Sequence, residues 1–490
     1  MKRSFIIKSF PIAVLFALFI AAGCSSERED KDEIPVTTNS EEAKSDFLQG
    51  RDLAEKLKGT ESLQFFENAI AKDENFALAY YYHSLFNPTA KGFFEDLDKA
   101  ISLSDKVSEG EKLLILQLQA GVNGDQKKQE EYLIKLIETY PNDVRAYNQI
   151  GTFYYGLQNY QRAVDHLKKS VEIDSTYSPT YNMLGYSYRN LGNYENAEVS
   201  FKKYIEFIPD DPNPYDSYAE LLMKSGKYEE SIKQYQKALS VDSNFVNSFV
   251  GIATNYNYLG KYDEARSQLQ KFYNMARNDG EKRTALFSMA VSYVDEGNFT
   301  KALEEMNKQL QMGEEINDAA AIAGDYNTIG NILFEMGKYD EAKTNYDKAL
   351  QTIEGSSLST EVKNTAKRLD IYNQARIDIM KGKVAAAKEK SKQFGEQAVA
   401  ANNTFQIWLS HQLEGMIALK EKDFKKAEDE FEKSNLQNPS IFYKLALALE
   451  GKKDKEGARN YYKMAGNFNA LNDINQAFIR KKALNMAAAK

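Results

Sequence analysis

The sequence predicts an all-α solenoid. Three observations carry that prediction: a self-similarity with a 34-residue period, apolar residues at helical spacing inside each copy, and a composition of helix formers with only nine prolines in 490 residues. A hydrophobic share of 42% is too low for a chain of many membrane spans. A repeat array also escapes the usual limit on domain size, because each unit packs only on its neighbours.

The first 23 residues read as a leader. Lys2, Arg3 and Lys8 precede an apolar run from Ile12 to Ala22, which is short for a bilayer span and suited to the apolar core of an export signal. Ala21-Ala22-Gly23 then lead into Cys24, the single cysteine, which has no partner for an internal disulfide. On charge and apolar length alone, an ordinary secretory signal cleaved after Ala22 or Gly23 also fits. The small residues before Cys24 resemble the lipobox of bacterial lipoproteins, with Ala21 where that family usually has Leu. The resemblance implies cleavage before Cys24, lipidation of its thiol and, with Ser25 next, passage to the outer membrane of the cell envelope. Several acyl chains hold a soluble domain on a membrane where one binds reversibly. Residues 24–45, with the run Glu27-Arg28-Glu29-Asp30-Lys31-Asp32-Glu33, have no apolar periodicity and read as an acidic, disordered tether.

Residues 46–143 read as a degenerate helical region. It includes a unit from Gly110 in which Leu113, Leu116, Leu133 and Leu136 keep the pattern, while Gln117 and Gln129 replace small residues. Residues 144–279 form the regular array. Tyr147, Ile150, Gly151, Tyr154, Ala163 and Leu167 recur 34 positions on as Tyr181, Leu184, Gly185, Tyr188, Ala197 and Phe201, and units start near Val144, Ser178, Pro212 and Val246. Large residues at positions 4, 7 and 11 make one stripe of a first helix, positions 20, 24 and 27 make the facing stripe of a second, and small residues at 8 and 20 allow close approach. Leu191-Gly192-Asn193-Tyr194, Ser225-Gly226-Lys227-Tyr228 and Leu259-Gly260-Lys261-Tyr262 supply the turns, with Gly for a left-handed cap. The Gly-Lys pairs lack the spacing of a phosphate loop.

Residues 280–354 continue the pattern with slipped starts, read as longer loops near Asp279 and Glu314, and Gly355–Thr360 reads as a hinge. Residues 355–465 are divergent copies. Residues 466–490 read as a capping helix whose Arg480, Lys481 and Lys482 favour its own C-terminal end.

This pattern resembles the tetratricopeptide-repeat (TPR) family. The resemblance implies a right-handed superhelix of antiparallel helix pairs, about 8–10 repeats with the degenerate ones counted. It also implies a concave groove lined by positions 2, 5, 9, 12 and 13 of the first helices, where a peptide or helix of another protein binds. Those positions hold Asn148, Thr152 and Tyr155; Asn182, Tyr186, Arg189 and Asn190; Asp216, Glu220 and Lys224; Asn247, Thr254, Asn257 and Tyr258; and, in a later unit, Asn327 and Asn331. Asn both donates and accepts, so such a row suits a peptide backbone, and in an Asn-rich chain it equally suits a plain solvated face. Arg189 and Lys224 alone do not make the carboxylate clamp of chaperone-binding relatives, so an acidic C-terminus is not the expected ligand.

Other function classes are disfavoured. The formal charge of −8, which becomes −11 without the leader, repels nucleic acid. His83, His166 and His411 lie far apart in sequence, so neither a metal site nor a cofactor is expected. No enzyme is expected: residues 47–104 are too short for most catalytic domains, and His83 has no nucleophile beside it. The function expected is a membrane-anchored scaffold for an envelope protein. The alternative is a glycan-binding outer-membrane lipoprotein of TPR-like fold, which a single Trp and short turns disfavour.

Overall fold

The computed structural model describes residues 33–56 and 58–489. The leader, Cys24 and the first part of the expected tether lie outside the described residues. The chain is all helical, with no strand among the described residues, and none of their helices is long and apolar enough to cross a membrane.

Helices pair in sequence order. Three pairs lead: α1 (Glu41–Glu55) with α2 (Gly59–Lys72), α3 (Ala77–Phe86) with α4 (Ala90–Leu103), and α5 (Glu109–Val122) with α6 (Gln126–Thr139). The regular array follows as α7 (Val144–Gly156) with α8 (Tyr160–Ile173), α9 (Ser178–Asn190) with α10 (Tyr194–Phe207), α11 (Asn213–Lys224) with α12 (Tyr228–Val241), and α13 (Asn247–Tyr258) with α14 (Tyr262–Met275). Five longer or divergent pairs come next: α15 (Asp279–Glu296) with α16 (Phe299–Glu315), α17 (Ala319–Glu335) with α18 (Tyr339–Glu354), α19 (Thr360–Met380) with α20 (Val384–Ala400), α21 (Thr404–Glu421) with α22 (Phe424–Glu432), and α23 (Pro439–Gly451) with α24 (Lys455–Gly466). A single helix, α25 (Ile474–Ala488), closes the array.

Close approach within a pair is set by a glycine facing a large side chain sixteen residues on. A Cβ at Gly185 would lie 2.5 Å from the ring of buried Phe201, and one at Gly151 would lie 2.6 Å from Leu167. Gly330 against Tyr346 and Gly415 against Phe431 repeat the arrangement. So does Gly50 against Phe66, which makes α1 and α2 a unit of the same kind. The twelve pairs among the described residues exceed the eight to ten units expected, because the region read as degenerate holds three pairs, the first of them built on the same contact. The turns are as expected: Gly192, Gly226 and Gly260 sit at φ of 74–75°.

Four expectations need correction. The slip in register after residue 279 is taken up by longer helices, since α15, α16 and α17 have 18, 17 and 17 residues and connections of two or three residues. The Gly355–Ser359 stretch is a packed turn, with Leu358 against Ala349 and Ile353 and the Lys363 ammonium donating to the Ser356 carbonyl at 2.7 Å. The tether is shorter than expected, because helix begins at Glu41 and the residues before it are docked in extended form. There the Ile34 amide donates to Asp143 at 2.8 Å, the Thr37 amide to buried Glu111 at 2.8 Å and the Thr38 hydroxyl to Asp73 at 2.6 Å, while Ile34 and Val36 pack on the core. Finally, the basic residues of α25 serve other helices: Arg480 donates to the Tyr258 carbonyl at 2.8 Å and Lys481 to the Glu296 carbonyl at 3.0 Å, at the C-terminal ends of α13 and α15.

The array comes round on itself. Thr60 meets Glu281, the Lys91 amide meets Asp318, Gln126 accepts from the Thr404 amide and Gln158 donates to Asn435, across 221 to 278 residues. That is roughly seven to eight units, so successive turns of the superhelix touch.

Candidate functional site

The first helix of each pair faces the axis, and its polar residues face their counterparts one unit on. Tyr186 donates to Glu220 at 3.0 Å, Arg189 pairs with the other oxygen of Glu220 at 3.1 Å and stacks on Tyr186, and Asn190 donates to Tyr155 at 3.1 Å. Ser248 donates to Asp216 at 2.6 Å, Ser292 to Asn257 at 2.8 Å and Thr180 to Asn148 at 3.4 Å. Burial pushes Asp216 up to about 8, with the charge of Glu220 adding and the Ser248 bond opposing. Thr152 and Thr254 bond carbonyls of their own helices, and Asn182 is buried with its Oδ1 unpartnered. Many of the Asn, Tyr and acidic residues expected along the groove therefore join one unit to the next.

The chain's own C-terminal segment fills the next stretch of the inner face. Lys224 lies 3.3 Å from the centre of the Phe468 ring and donates to the Phe468 carbonyl at 2.6 Å. Tyr258 donates to the Ala470 carbonyl, Tyr228 donates to Asn469 at 2.9 Å, and Asn472 donates to Ser288 at 2.9 Å. Lys224 and Tyr258, expected to face a partner, face residues 468–470 instead. Asn247 lines a separate cleft of about 520 Å³ between the start of α2, the end of α3 and the starts of α13 and α15.

Beyond that segment the inner face is open. A hollow of about 430 Å³ lies among α17, α19, α21, α23 and α25. Asn327 and Asn331 line it, as expected for groove positions, but most of its wall comes from the divergent units: Tyr372 and Arg376, Gln412 and Met416, Tyr443 and Leu447. These fall at positions 5 and 9 when counted from the small residues Ala375, Gly415 and Ala446 at position 8. The sequence reading missed them because it mapped the groove only onto well-matched copies; the small residue was the available signal. The Arg376 guanidinium stacks 4.3 Å over Phe334 and donates to Asn331 at 3.0 Å and Asn373 at 3.3 Å. Lys444 donates to the Ser440 hydroxyl at 3.1 Å. Burial pushes its ammonium down to about 8, with Glu335 opposing the fall and Arg376 adding to it.

A family model for a tetratricopeptide repeat matches residues 144–177, 178–211 and 213–245, and one for a tetratricopeptide repeat-like domain matches residues 249–370. Over those residues the units are similar to tetratricopeptide repeats. The TPR matches cover the regular pairs and the first two of the longer ones, and they stop inside α19. Among solved structures, the crystal structure of MamA protein is similar at 21% identity and a TM-score of 0.28, over 33% of this chain and 89% of that one. No curated protein matches the chain. TPR arrays serve as protein-interaction scaffolds, and the inner face of this one is divided between a self-filled stretch and an open hollow.

Proposed function

We propose that the protein is a membrane-anchored scaffold of the bacterial cell envelope, that it holds a peptide or helix of another envelope protein on the concave face of its TPR array, and that it catalyses nothing. The observation that carries the reading is the open hollow at the C-terminal end of that face, walled by groove positions of successive units. Such a wall presents aromatic, amide and aliphatic side chains on rigid helices, the composition of a protein-binding surface. The leader supports the anchor, with Lys2, Arg3 and Lys8 before an apolar run that ends at Cys24.

Two measurements test the proposal. Fatty-acid labelling and membrane partition of the wild type, both lost in Cys24→Ser, are expected for the anchor; labelling of neither protein would refute it. Capture of a specific protein from envelope extract by the Cys24→Ser form is expected to weaken at least tenfold in Gln412→Ala/Tyr443→Ala. Capture of nothing, or capture indifferent to those substitutions, would refute the groove.

A further inference from the structure

The hollow has a charge that the rest of the chain does not share. Its wall carries Arg376, Lys444 and Lys482 against a single carboxylate, Glu335, while the whole chain has a formal charge of −8. Glu335 is already paired with Lys482 at 3.5 Å. The hydrogen-bond partners of Arg376 and Lys444 are neutral: the amide oxygens of Asn331 and Asn373 and the Tyr346 hydroxyl for the first, Ser440 for the second. Two half-buried cations thus face one concave space whose single carboxylate, Glu335, acts on both and is already paired with Lys482. Coulombic attraction strengthens as water is excluded, so a ligand anion entering there gains more than it would on an open surface. Around the cations the wall is apolar, with Leu409, Met416, Leu447 and Phe478. The neighbouring stretch of inner face is filled by Phe468–Asn472, so a segment laid along the axis has this end of it to enter.

From this arrangement we infer that the hollow binds an acidic segment of the partner protein, a carboxylate flanked by apolar side chains, with the carboxylate between Arg376 and Lys444. Arg376 is held for that task by stacking on Phe334 and by two amide oxygens, which leave part of its planar fork free for an oxygen acceptor. The inference rests on the reading of the concave face as the partner's seat and narrows that partner's chemistry. It differs from the acidic C-terminus disfavoured on the regular units, because the cations here belong to the divergent ones.

The test uses the Cys24→Ser chain and a displayed library of random hexapeptides. Selection is expected to enrich sequences with Asp or Glu beside Leu, Ile, Met or Phe. Synthetic peptides from that pool are expected to lose at least tenfold in affinity when Glu is changed to Gln, and likewise on Arg376→Gln or Lys444→Gln, with the melting temperature of each variant confirming its fold. The control Lys224→Gln, at the self-filled stretch, is expected to leave affinity within twofold. No enrichment of acidic residues, or acidic peptides that bind Arg376→Gln and Lys444→Gln as well as the parent, would overturn the inference. Failure of this inference and failure of the scaffold are separable. An envelope partner captured equally by parent and Arg376→Gln/Lys444→Gln leaves the scaffold standing without the acidic segment, whereas selected acidic peptides with no envelope partner do the reverse.

Discussion

Side-chain volume and backbone handedness decide most of what single residues do in this chain. Gly185 has no room for a methyl group, because its ideal Cβ direction ends 2.5 Å from Phe201, a ring with no exposed surface. Gly185→Ala is therefore expected to destabilise by about 1–3 kcal/mol, read from the urea midpoint. Gly156 lies at the end of α7 with nothing within 4 Å of a Cβ, and Gly156→Ala is expected to be neutral or stabilising by up to about 1 kcal/mol in the same assay. Lys453 occupies the left-handed turn position, at φ of 66°, that Gly192 and Gly226 fill in regular units. Lys453→Gly is expected to raise stability by up to about 1 kcal/mol, relief of the left-handed strain outweighing the added freedom of the unfolded chain. The glycines of the regular turns were legible in the sequence because they recur at a fixed offset. Lys453 was not, since nothing in its identity marks a left-handed residue.

At the scale of helices, the inner face is a run of inter-unit bonds, and Asp216 is its most perturbed acid. Burial raises its pKa to about 8, well above that of an Asp in the unfolded chain. The folded state therefore keeps a proton that the unfolded state loses near pH 4. This contribution to stability is full below about pH 4, declines above it and is gone once pH has risen through about 8. Asp216→Asn is expected to be more stable than the parent at pH 9 and to flatten the fall between pH 5 and 9, as read from thermal melts; parallel profiles would refute this. Helix pairing was legible for residues 144–279, where positions 4, 7, 8, 11, 20 and 24 all conform. It was less so at residues 41–103, although Gly50 and Phe66 keep the spacing of Gly185 and Phe201. The hollow went unseen for a related reason. Its residues share groove positions with Asn327 and Asn331, but Tyr372, Arg376, Gln412 and Leu447 have no common chemistry for a pattern to find.

For the whole molecule, no local pattern foretells that the superhelix closes on itself, because bonds across 200 residues and more depend on a small rotation accumulated over many units. Arg480 is the clearest link: it donates to the Tyr258 carbonyl at 2.8 Å and lies 3.5 Å from Asp295, which is 3% exposed. Arg480→Ala removes the cation beside that carboxylate and leaves it the Tyr262 hydroxyl as hydrogen-bond partner, and a loss of about 2–4 kcal/mol is expected. Hydrogen exchange is expected to rise in α15, α25 and the segment between α24 and α25, and to stay unchanged in α1–α6; a uniform rise would refute this local account. At the other end of the array, the docking of Ile34 on Asp143 and Thr37 on Glu111 has a consequence for where the protein can work. With a lipid on Cys24, only residues 25–33 separate the membrane surface from the fixed Ile34, a leash of roughly 35 Å at full extension. The array would then stand within about one domain diameter of its own bilayer, so its partner must come to that surface, and the scaffold cannot reach out to fetch it.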